Sequence, residues 1–404
     1  MVFRSKLNVL AGLLAGIVLV GTLMLTLGVP RTWDLWRVPA GMVSFMDLRV
    51  VTAGAQSHRE GFDPMYQNPH DFIQRLVNYP RLWQAAYAFP IDETDTVWLA
   101  AVVLVLFFGT LFWALPPMSN VQVGLLLLAV FSPAMMLGYE RGNTDLVVFA
   151  VLALAVAAQR NALSFVLVLF AFALKLFPFA ALAVLLGFER RAALRWAGWS
   201  LAFAVFYAAF YYDDLRQIIA TTPRGVWLSF GRDVVSLRLA ADQSEWARVV
   251  SWVGLATAVG WIAFALRSWW RGESDEVGPD DAGMRGFRIG AACFVGTFLI
   301  GTNFAYKLVF LLLALPQLLE WARDAGGWRR WPARIAVAGV YLALWLPAWE
   351  KPGSDPRAAR GLDFWLGQAA HWVLFGALVW LLVQTAPGWL RDWARRREAR
   401  RAAA

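Results

Sequence analysis

An aspartate near the start of a long polar stretch is the first candidate for chemistry. Asp47 lies in the sequence Phe45-Met46-Asp47-Leu48-Arg49. Apolar side chains recur around it at helical spacing, at Val43, Met46, Val50 and Ala53, which predicts an amphipathic helix at the membrane interface. A carboxylate at the edge of such an apolar stripe has the raised basicity that a general base requires. The alternative is an interfacial helix residue that is paired with Arg49 or with another arginine.

Three cations form the second candidate group. Arg141 belongs to Glu140-Arg141-Gly142-Asn143-Thr144-Asp145, Lys175 precedes Leu176-Phe177-Pro178, and Lys307 follows Asn303-Phe304-Ala305-Tyr306. Ionisable groups at membrane depth are costly and therefore indicate function. Three cations at one membrane face suggest an anionic ligand, most simply a lipid phosphate. Each alone can instead be explained by snorkelling or by a local pair such as Glu140–Arg141.

The polar stretch also carries residues suited to an acceptor. Asp63-Pro64 and Asn78-Tyr79-Pro80 are turn signals. Aromatic rings such as Trp83 suit an interface belt and can also stack on sugars. We assign Asp63, Tyr79, Arg81 and Trp83 to the acceptor side. The adjacent acids Asp213 and Asp214 lack Asp-x-Asp spacing and a nearby histidine, so we expect no metal.

The amino-acid composition indicates that a membrane domain positions these residues. The 404 residues are 59% hydrophobic and 16% charged, and the mean hydropathy is +0.53, whereas soluble proteins are roughly 25% charged. The net charge is +9, but the basic residues are not gathered on one helix or tract except in the basic tail. Nucleic acid is therefore not an expected partner. The single cysteine, Cys293, allows neither an internal disulfide nor a cysteine metal cluster.

Apolar runs predict an all-α polytopic membrane protein with about twelve transmembrane helices in a single domain, residues 1–404. The pair of runs around Lys175 reads either as two short helices or as one re-entrant hairpin. The twelve runs are Leu7–Val29, Thr96–Leu115, Val121–Leu137, Leu146–Ala158, Leu163–Leu174, Phe177–Phe188, Trp196–Tyr212, Val249–Leu266, Ile289–Thr302, Tyr306–Leu319, Ile335–Pro347 and Phe364–Thr385.

Arginine distribution predicts the orientation of these helices. Short loops rich in arginine indicate the cytoplasm, which places both termini inside. The first run is long enough to span a bilayer and no convincing cleavage site follows it, so we expect a retained helix rather than a signal peptide. Residues 28–95 then form a large first extracytoplasmic loop that contains the amphipathic helix. Residues 213–248 form a second outer loop, 268–288 a cytoplasmic linker, and 388–404 a basic cytoplasmic tail that suits anionic lipid headgroups.

Several motifs resemble glycosyltransferase family 87, whose members use polyprenyl-phosphate sugars and have the GT-C membrane fold. Glu140-Arg141-Gly142-Asn143-Thr144-Asp145-Leu146-Val147-Val148-Phe149 resembles the family signature. Leu174-Lys175-Leu176-Phe177-Pro178, Asn303-Phe304-Ala305-Tyr306-Lys307-Leu308 and the first loop, with its early aspartate, are similar to further family segments. The motif order matches over residues 1 to about 320. The chain departs from the family at Lys307, where arginine is more frequent, and at Ala305, where an acid is common.

The resemblance implies an inverting transfer of a sugar, often mannose, to a glycolipid or glycan acceptor at the outer face of a bacterial-type cytoplasmic membrane. It assigns the general base to Asp47. Attack opposite the phosphate would invert the anomeric carbon, and the departing lipid phosphate would be stabilised by the three cations. The residues expected at the donor are Arg141, Lys175, Lys307, Asn143, Asn303, Glu140, Tyr306 and Asp145. Neither a cofactor nor a metal is expected.

Two other classes of protein stay open. A lipid or polysaccharide transporter also needs many helices and buried cations, although it predicts paired repeats and broken helices, and no internal repeat is detectable. A non-catalytic membrane protein of envelope assembly is the third interpretation.

Overall fold

A computed structural model gives the fold for residues 2–271, 280–324, 327–348 and 361–392. Within these ranges the chain is mostly helical. The sixteen α-helices of the described residues are α1 Val2–Leu27, α2 Val29–Leu35, α3 Met46–Arg59, α4 Thr96–Ala114, α5 Asn120–Val130, α6 Pro133–Arg141, α7 Asp145–Ala157, α8 Asn161–Leu174, α9 Arg190–Phe210, α10 Tyr212–Thr221, α11 Val234–Ala241, α12 Trp246–Arg271, α13 Ala282–Ile300, α14 Leu311–Arg323, α15 Arg330–Trp345 and α16 Leu362–Gln384.

Shorter elements connect these helices. Segments of 3₁₀-helix span Arg81–Ala88, Glu93–Asp95, Phe177–Gly187, Ala305–Phe310 and Leu346–Ala348. Two short strands, β1 Ser229–Phe230 and β2 Asn303–Phe304, pair antiparallel with Phe230 opposite Asn303. The pairing continues at Ala305, whose N–H donates to the carbonyl of Leu228 at 2.7 Å. The strand pair therefore fixes the backbone directly before Lys307.

The chain is a multi-pass membrane protein. Seven helical segments of the described residues are long and apolar enough to cross a membrane, and a bent pair, α5 with α6, raises the number to eight. The predicted number of twelve stays a prediction, since several of its runs are helices of fewer than eighteen residues. The seven segments are Ser5–Leu27, Glu93–Ala114, Arg190–Phe210, Trp246–Arg271, Ala282–Ile300, Ala305–Arg323 and Leu362–Gln384.

One predicted helix is broken in the structure. The run Val121–Leu137 forms α5 and α6, which meet at an angle of 51°. The break follows from Ser132-Pro133, because proline disfavours helical geometry in the residue before it. Proline also suits the first turn of a new helix, and Pro133 occupies that position in α6. The break matters for the site because α6 carries Glu140 and Arg141.

The centre of the bundle is the helix pair α13 and α14. Most residues of both helices are buried, whereas α1, α9 and α12 expose most of their apolar surface. Glycines allow the close approach of the central pair. A Cβ atom on Gly286 would meet the carbonyl of Leu313, and one on Gly290 would meet the carbonyl of Phe310. The exposed helices present the surface that suits lipid.

The observed helix bounds add detail to three predicted segments. Val43 precedes α3, and most apolar side chains of α3 are buried against protein rather than along a single interfacial stripe. Within the predicted linker 268–288, α12 continues to Arg271 and α13 begins at Ala282. The predicted loop 213–248 contains most of α10, all of α11 and the start of α12. Parts of the predicted linker and tail, residues 272–279 and 393–404, lie outside the described residues.

Candidate functional site

Asp47 lies in the first turn of α3, at the end of the bundle where α6 ends. Its carboxylate oxygen Oδ2 accepts a hydrogen bond from Nδ2 of Asn143 at 2.6 Å. The other oxygen, Oδ1, lies 3.8 Å from Nη1 of Arg75. The side chain is 21% exposed, so the carboxylate remains accessible. The structure thus joins the first loop to the Glu-Arg-Gly-Asn motif, which is 96 residues away in sequence.

A tight turn between α6 and α7 orients Asn143. Gly142 ends α6 with a φ of 56°, in the left-handed region that favours glycine. The side-chain oxygen of Asn143 accepts from the backbone N–H of Asp145 at 2.8 Å. Since its oxygen is engaged in this bond, the amide nitrogen of Asn143 must point outward and donates to Asp47.

The turn also carries a buried ion pair. Nζ of Lys175, at the end of α8, donates to Oδ1 of Asp145 at 2.6 Å, and their side chains are 11% and 1% exposed. The ammonium also lies 4.9 Å from the ring centre of Tyr79. Oδ2 of Asp145 is buried without a hydrogen-bond partner within the described part of the chain. Because the Lys175 ammonium has three N–H donors, it can still donate to an anion while it is bound to Asp145.

Lys307 is the second lysine at this end of the bundle. Its Nζ donates to Oδ1 of Asn303 at 2.8 Å and lies 5.2 Å from the ring centre of Phe177. Asn303 is itself fixed, because its Nδ2 donates to the carbonyl of Thr297 at 2.6 Å. Lys307 interacts electrostatically with both Asp145 and Lys175. The two lysines therefore belong to one cluster.

Glu140 and Arg141 hold the segment that precedes Asp47. Oε1 of Glu140 accepts from the N–H of Gly41 at 2.7 Å, and its carbonyl accepts from the N–H of Phe45 at 3.2 Å. Arg141 donates through Nη2 to the carbonyl of Pro39 at 3.2 Å, and Nη1 contacts the sulfur of Met46. Both residues, predicted at the donor phosphate, are engaged with the first loop in this structure.

Burial and the surrounding positive charge shift the pKa of Asp47 in opposite directions. Burial raises the pKa of the Asp47 carboxyl, and this effect exceeds the lowering by the Asn143 hydrogen bond and by nearby cations. Those cations are Arg141, Arg75 and Lys175. A raised pKa gives the carboxylate more basicity than an exposed aspartate has.

Two tyrosines complete the surroundings of Asp47. Burial raises the pKa of the Tyr79 phenol, and the charges of Asp47 and Asp145 raise it further. Tyr79 therefore stays neutral and can donate a hydrogen bond. Tyr306 lies within electrostatic range of Asp47, Asp145 and Tyr79. Both phenols are placed to contact a ligand that approaches Asp47.

The remaining acceptor-side predictions divide into two groups. Trp83 stays near the cluster, since its Nε1 donates to the carbonyl of Leu174 at 2.9 Å and its ring centre lies 5.7 Å from that of Tyr79. Arg81 and Asp63 instead form a network with Asp214. Arg81 donates to Asp214 at 2.6 and 2.9 Å and to Asp63 at 3.2 Å.

The Arg81 network lies beside an open recess of about 210 Å³. Its lining residues are His58, Gly61, Phe62, Asp63, Arg81 and Gln84. Asp214, considered above as a metal ligand together with Asp213, is the partner of Arg81. Within the described ranges no group of three or more histidine, cysteine or acidic side chains is placed to hold a metal ion.

No protein-family model, curated protein or solved structure matches this chain. The likeness to glycosyltransferase family 87 therefore rests on the motif residues. What the structure adds is that the motifs from four distant segments meet at one end of the bundle, around Asp47, Asn143, Lys175 and Lys307.

Sequence reasoning missed Arg75. This residue lies in the irregular segment after α3, where no periodicity indicates which way a side chain points. The available signal was Asp71, an acid four residues before an arginine in a polar loop. Only the folded loop brings that pair to Asp47.

Proposed function

We propose that the protein is an inverting glycosyltransferase that moves a sugar, such as mannose, from a polyprenyl-phosphate donor to a glycolipid or glycan acceptor. The proposal includes a GT-C fold with about twelve transmembrane helices and a site at the outer face of the cytoplasmic membrane. Asp47 is the general base.

The observation that carries the proposal is the bond between Asp47 and Asn143 beside a lysine cluster. Asp47, whose pKa is raised, is bound to Asn143 and interacts electrostatically with Lys175, which belongs to the bundle. A base and an anion site are the two groups that sugar transfer from a lipid phosphate requires. Their presence on separate segments that converge argues for a shared substrate.

The reaction follows from this arrangement. The acceptor hydroxyl gives its proton to Asp47 while its oxygen bonds to the anomeric carbon. The bond from that carbon to the phosphate oxygen breaks, and its electron pair stays on the lipid phosphate. Lys175 and Lys307 stabilise the phosphate charge, and each such contact can contribute about 2–4 kcal/mol to the transition state. Tyr79 and Trp83 offer a donor and a ring face to sugar.

Glu140 and Arg141 then have a supporting role. Their contacts with residues 39–46 hold the start of α3, and so they orient the base rather than the phosphate. Arg141 still adds positive charge near Asp47.

Lipid transport is the second candidate, because the broken pair α5 and α6 is a feature that transporters share. The discriminating experiment incubates the purified protein with radiolabelled polyprenyl-phosphate mannose and a panel of acceptors. Transfer predicts labelled acceptor together with free polyprenyl phosphate. Movement of intact donor between the leaflets of a vesicle, without release of polyprenyl phosphate, would instead support the transporter.

Asp47→Asn tests the assigned base, and Asp34→Asn is the matched control because Asp34 is an exposed aspartate of the same loop. We expect loss of transfer in the first variant, with donor binding retained, and normal transfer in the second. Normal turnover by the Asp47→Asn protein would refute the assignment.

A further inference from the structure

The guanidinium of Arg75 binds the buried carboxylate of Asp71. Its Nε lies 3.1 Å from Oδ1 of Asp71, and its Nη2 lies 2.8 Å from Oδ2. The side chain of Asp71 is fully buried. The same Oδ1 accepts from the backbone N–H groups of Ile73 at 3.2 Å and Arg75 at 2.9 Å. Asp71 therefore fixes both the turn and the orientation of the guanidinium.

The guanidinium also reaches the start of α3. Nη2 donates to the carbonyl of Met46 at 2.6 Å, directly before Asp47 in the chain. Nη1 lies 3.8 Å from Oδ1 of Asp47, too far for a hydrogen bond but close enough for a strong charge interaction. The ring of Phe72 lies 4.9 Å from the guanidinium carbon and packs against it. The cation is thus held on several sides while one nitrogen faces the carboxylate.

We propose that Arg75, fixed by Asp71, is a positioning residue that orients the Asp47 carboxylate and keeps it ionised for its role as base. This inference rests on the proposed function, in which Asp47 accepts the proton of the acceptor. Arginine suits the task because its planar fork can bind Asp71 along one edge and still present Nη1 to Asp47. A lysine has a single charged point and cannot hold both contacts with the same geometry.

Other charged or titratable groups also face Asp47. Arg141 and Glu140 approach from the end of α6, and Lys175 from the end of α8, while the neutral amide of Asn143 donates a hydrogen bond. Tyr79 approaches from the first loop and Tyr306 from the segment after β2. Because Arg141 and Lys175 remain when Arg75 is replaced, the change at Asp47 should be partial rather than complete.

The test measures the ionisation of Asp47 directly. Purified full-length protein is treated with a water-soluble carbodiimide and an amine at pH 4 to 8, and the labelling of each carboxyl is quantified by mass spectrometry. Carbodiimide reacts with the protonated acid, and the exposed Asp213 serves as the internal reference. In Arg75→Gln we expect the labelling midpoint of Asp47 to move by about one pH unit or more toward higher pH. Arg49→Gln is the matched control, since Arg49 is in the same helix but pairs with Glu93 at 2.5 Å.

Arg75→Lys provides the second variant. Lysine keeps the positive charge but lacks the planar guanidinium, so the labelling midpoint of Asp47 should lie between those of the wild type and Arg75→Gln. If Arg75→Gln does not fold, a shift of this midpoint from the wild-type value is the test. Unchanged midpoints in folded variants would overturn the inference. If the midpoints move as expected but no variant, including the wild type, transfers sugar, the ion pair stands and the proposed function fails. If the wild type transfers sugar and the labelling midpoints of Asp47 do not move, the proposed function stands and the role of Arg75 is refuted.

Discussion

The buried pair of Lys175 and Asp145 allows the structural and functional contributions of a cation to be separated. The two side chains are 11% and 1% exposed, and Nζ lies 2.6 Å from Oδ1. Lys175→Met leaves the Asp145 carboxylate with an unpaired charge in a buried position. Removing one partner of such a pair costs about 3–5 kcal/mol of stability. Lys307 interacts with Asp145 as well and should reduce this cost toward the lower end.

The double variant Lys175→Met/Asp145→Asn removes both charges. It should be more stable than Lys175→Met, with a coupling energy of about 1–3 kcal/mol in a double-mutant cycle. Thermal unfolding and SDS titration of the detergent-solubilised proteins measure these differences. If Lys175 binds the donor phosphate, the double variant regains stability but not sugar transfer. Recovery of both properties would refute the role of Lys175 in donor binding. A Lys175→Met protein as stable as the wild type would contradict the reasoning about the buried pair.

Four further predictions concern the same end of the bundle. Burial raises the pKa of Asp47. The rate of sugar transfer should therefore fall as the pH decreases through a value above about 3.9, the ordinary pKa of aspartate. A pH–rate profile that stays flat down to that pH would contradict this prediction. The raised pKa also means that ionised Asp47 destabilises the fold above that pKa, so Asp47→Asn should unfold at the same or a higher temperature at pH 7. Gly142→Ala should cost about 1–2 kcal/mol, measured by SDS titration, because the residue has a φ of 56° and its Cβ would lie 3.0 Å from that of Phe45. Arg81→Ala leaves Asp214 buried without its guanidinium and should cost about 1–3 kcal/mol in thermal unfolding, yet leave the acid limb of the rate profile in place.

The helical membrane class was predictable from composition, because apolar runs of spanning length can fold only as helices in lipid. Several predicted runs coincide closely with helices, such as Thr96–Leu115 with α4. A difference arises at Val121–Leu137, which has the length of one span. Ser132-Pro133 divides this run into two helices that meet at an angle of 51°.

The site was predictable in its members but not in its geometry. Motif likeness brought together Asp47, Asn143 and Lys175, although spacing alone gives no distance between them. Arg75 could not be found in this way, since its contacts depend on how the loop folds back on α3. The local pair of Arg141 with Glu140, which their positions in the sequence allow, is present at 3.2 Å, whereas the contact of Arg141 with the carbonyl of Pro39 depends on how the first loop folds.

The Glu-Arg-Gly-Asn-Thr-Asp motif connects the first loop to the helix bundle. Glu140 binds the segment before Asp47, Asn143 binds Asp47 itself, and Asp145 binds Lys175. Gly142 lets the chain turn between the first two without a side chain against Phe45. Six consecutive residues therefore set the distance between Asp47 on the loop and Lys175 on the bundle. A ligand that contacts both, as the proposed reaction requires, must fit that distance, so a shift of this turn would move the proposed base and the proposed phosphate-binding cation together.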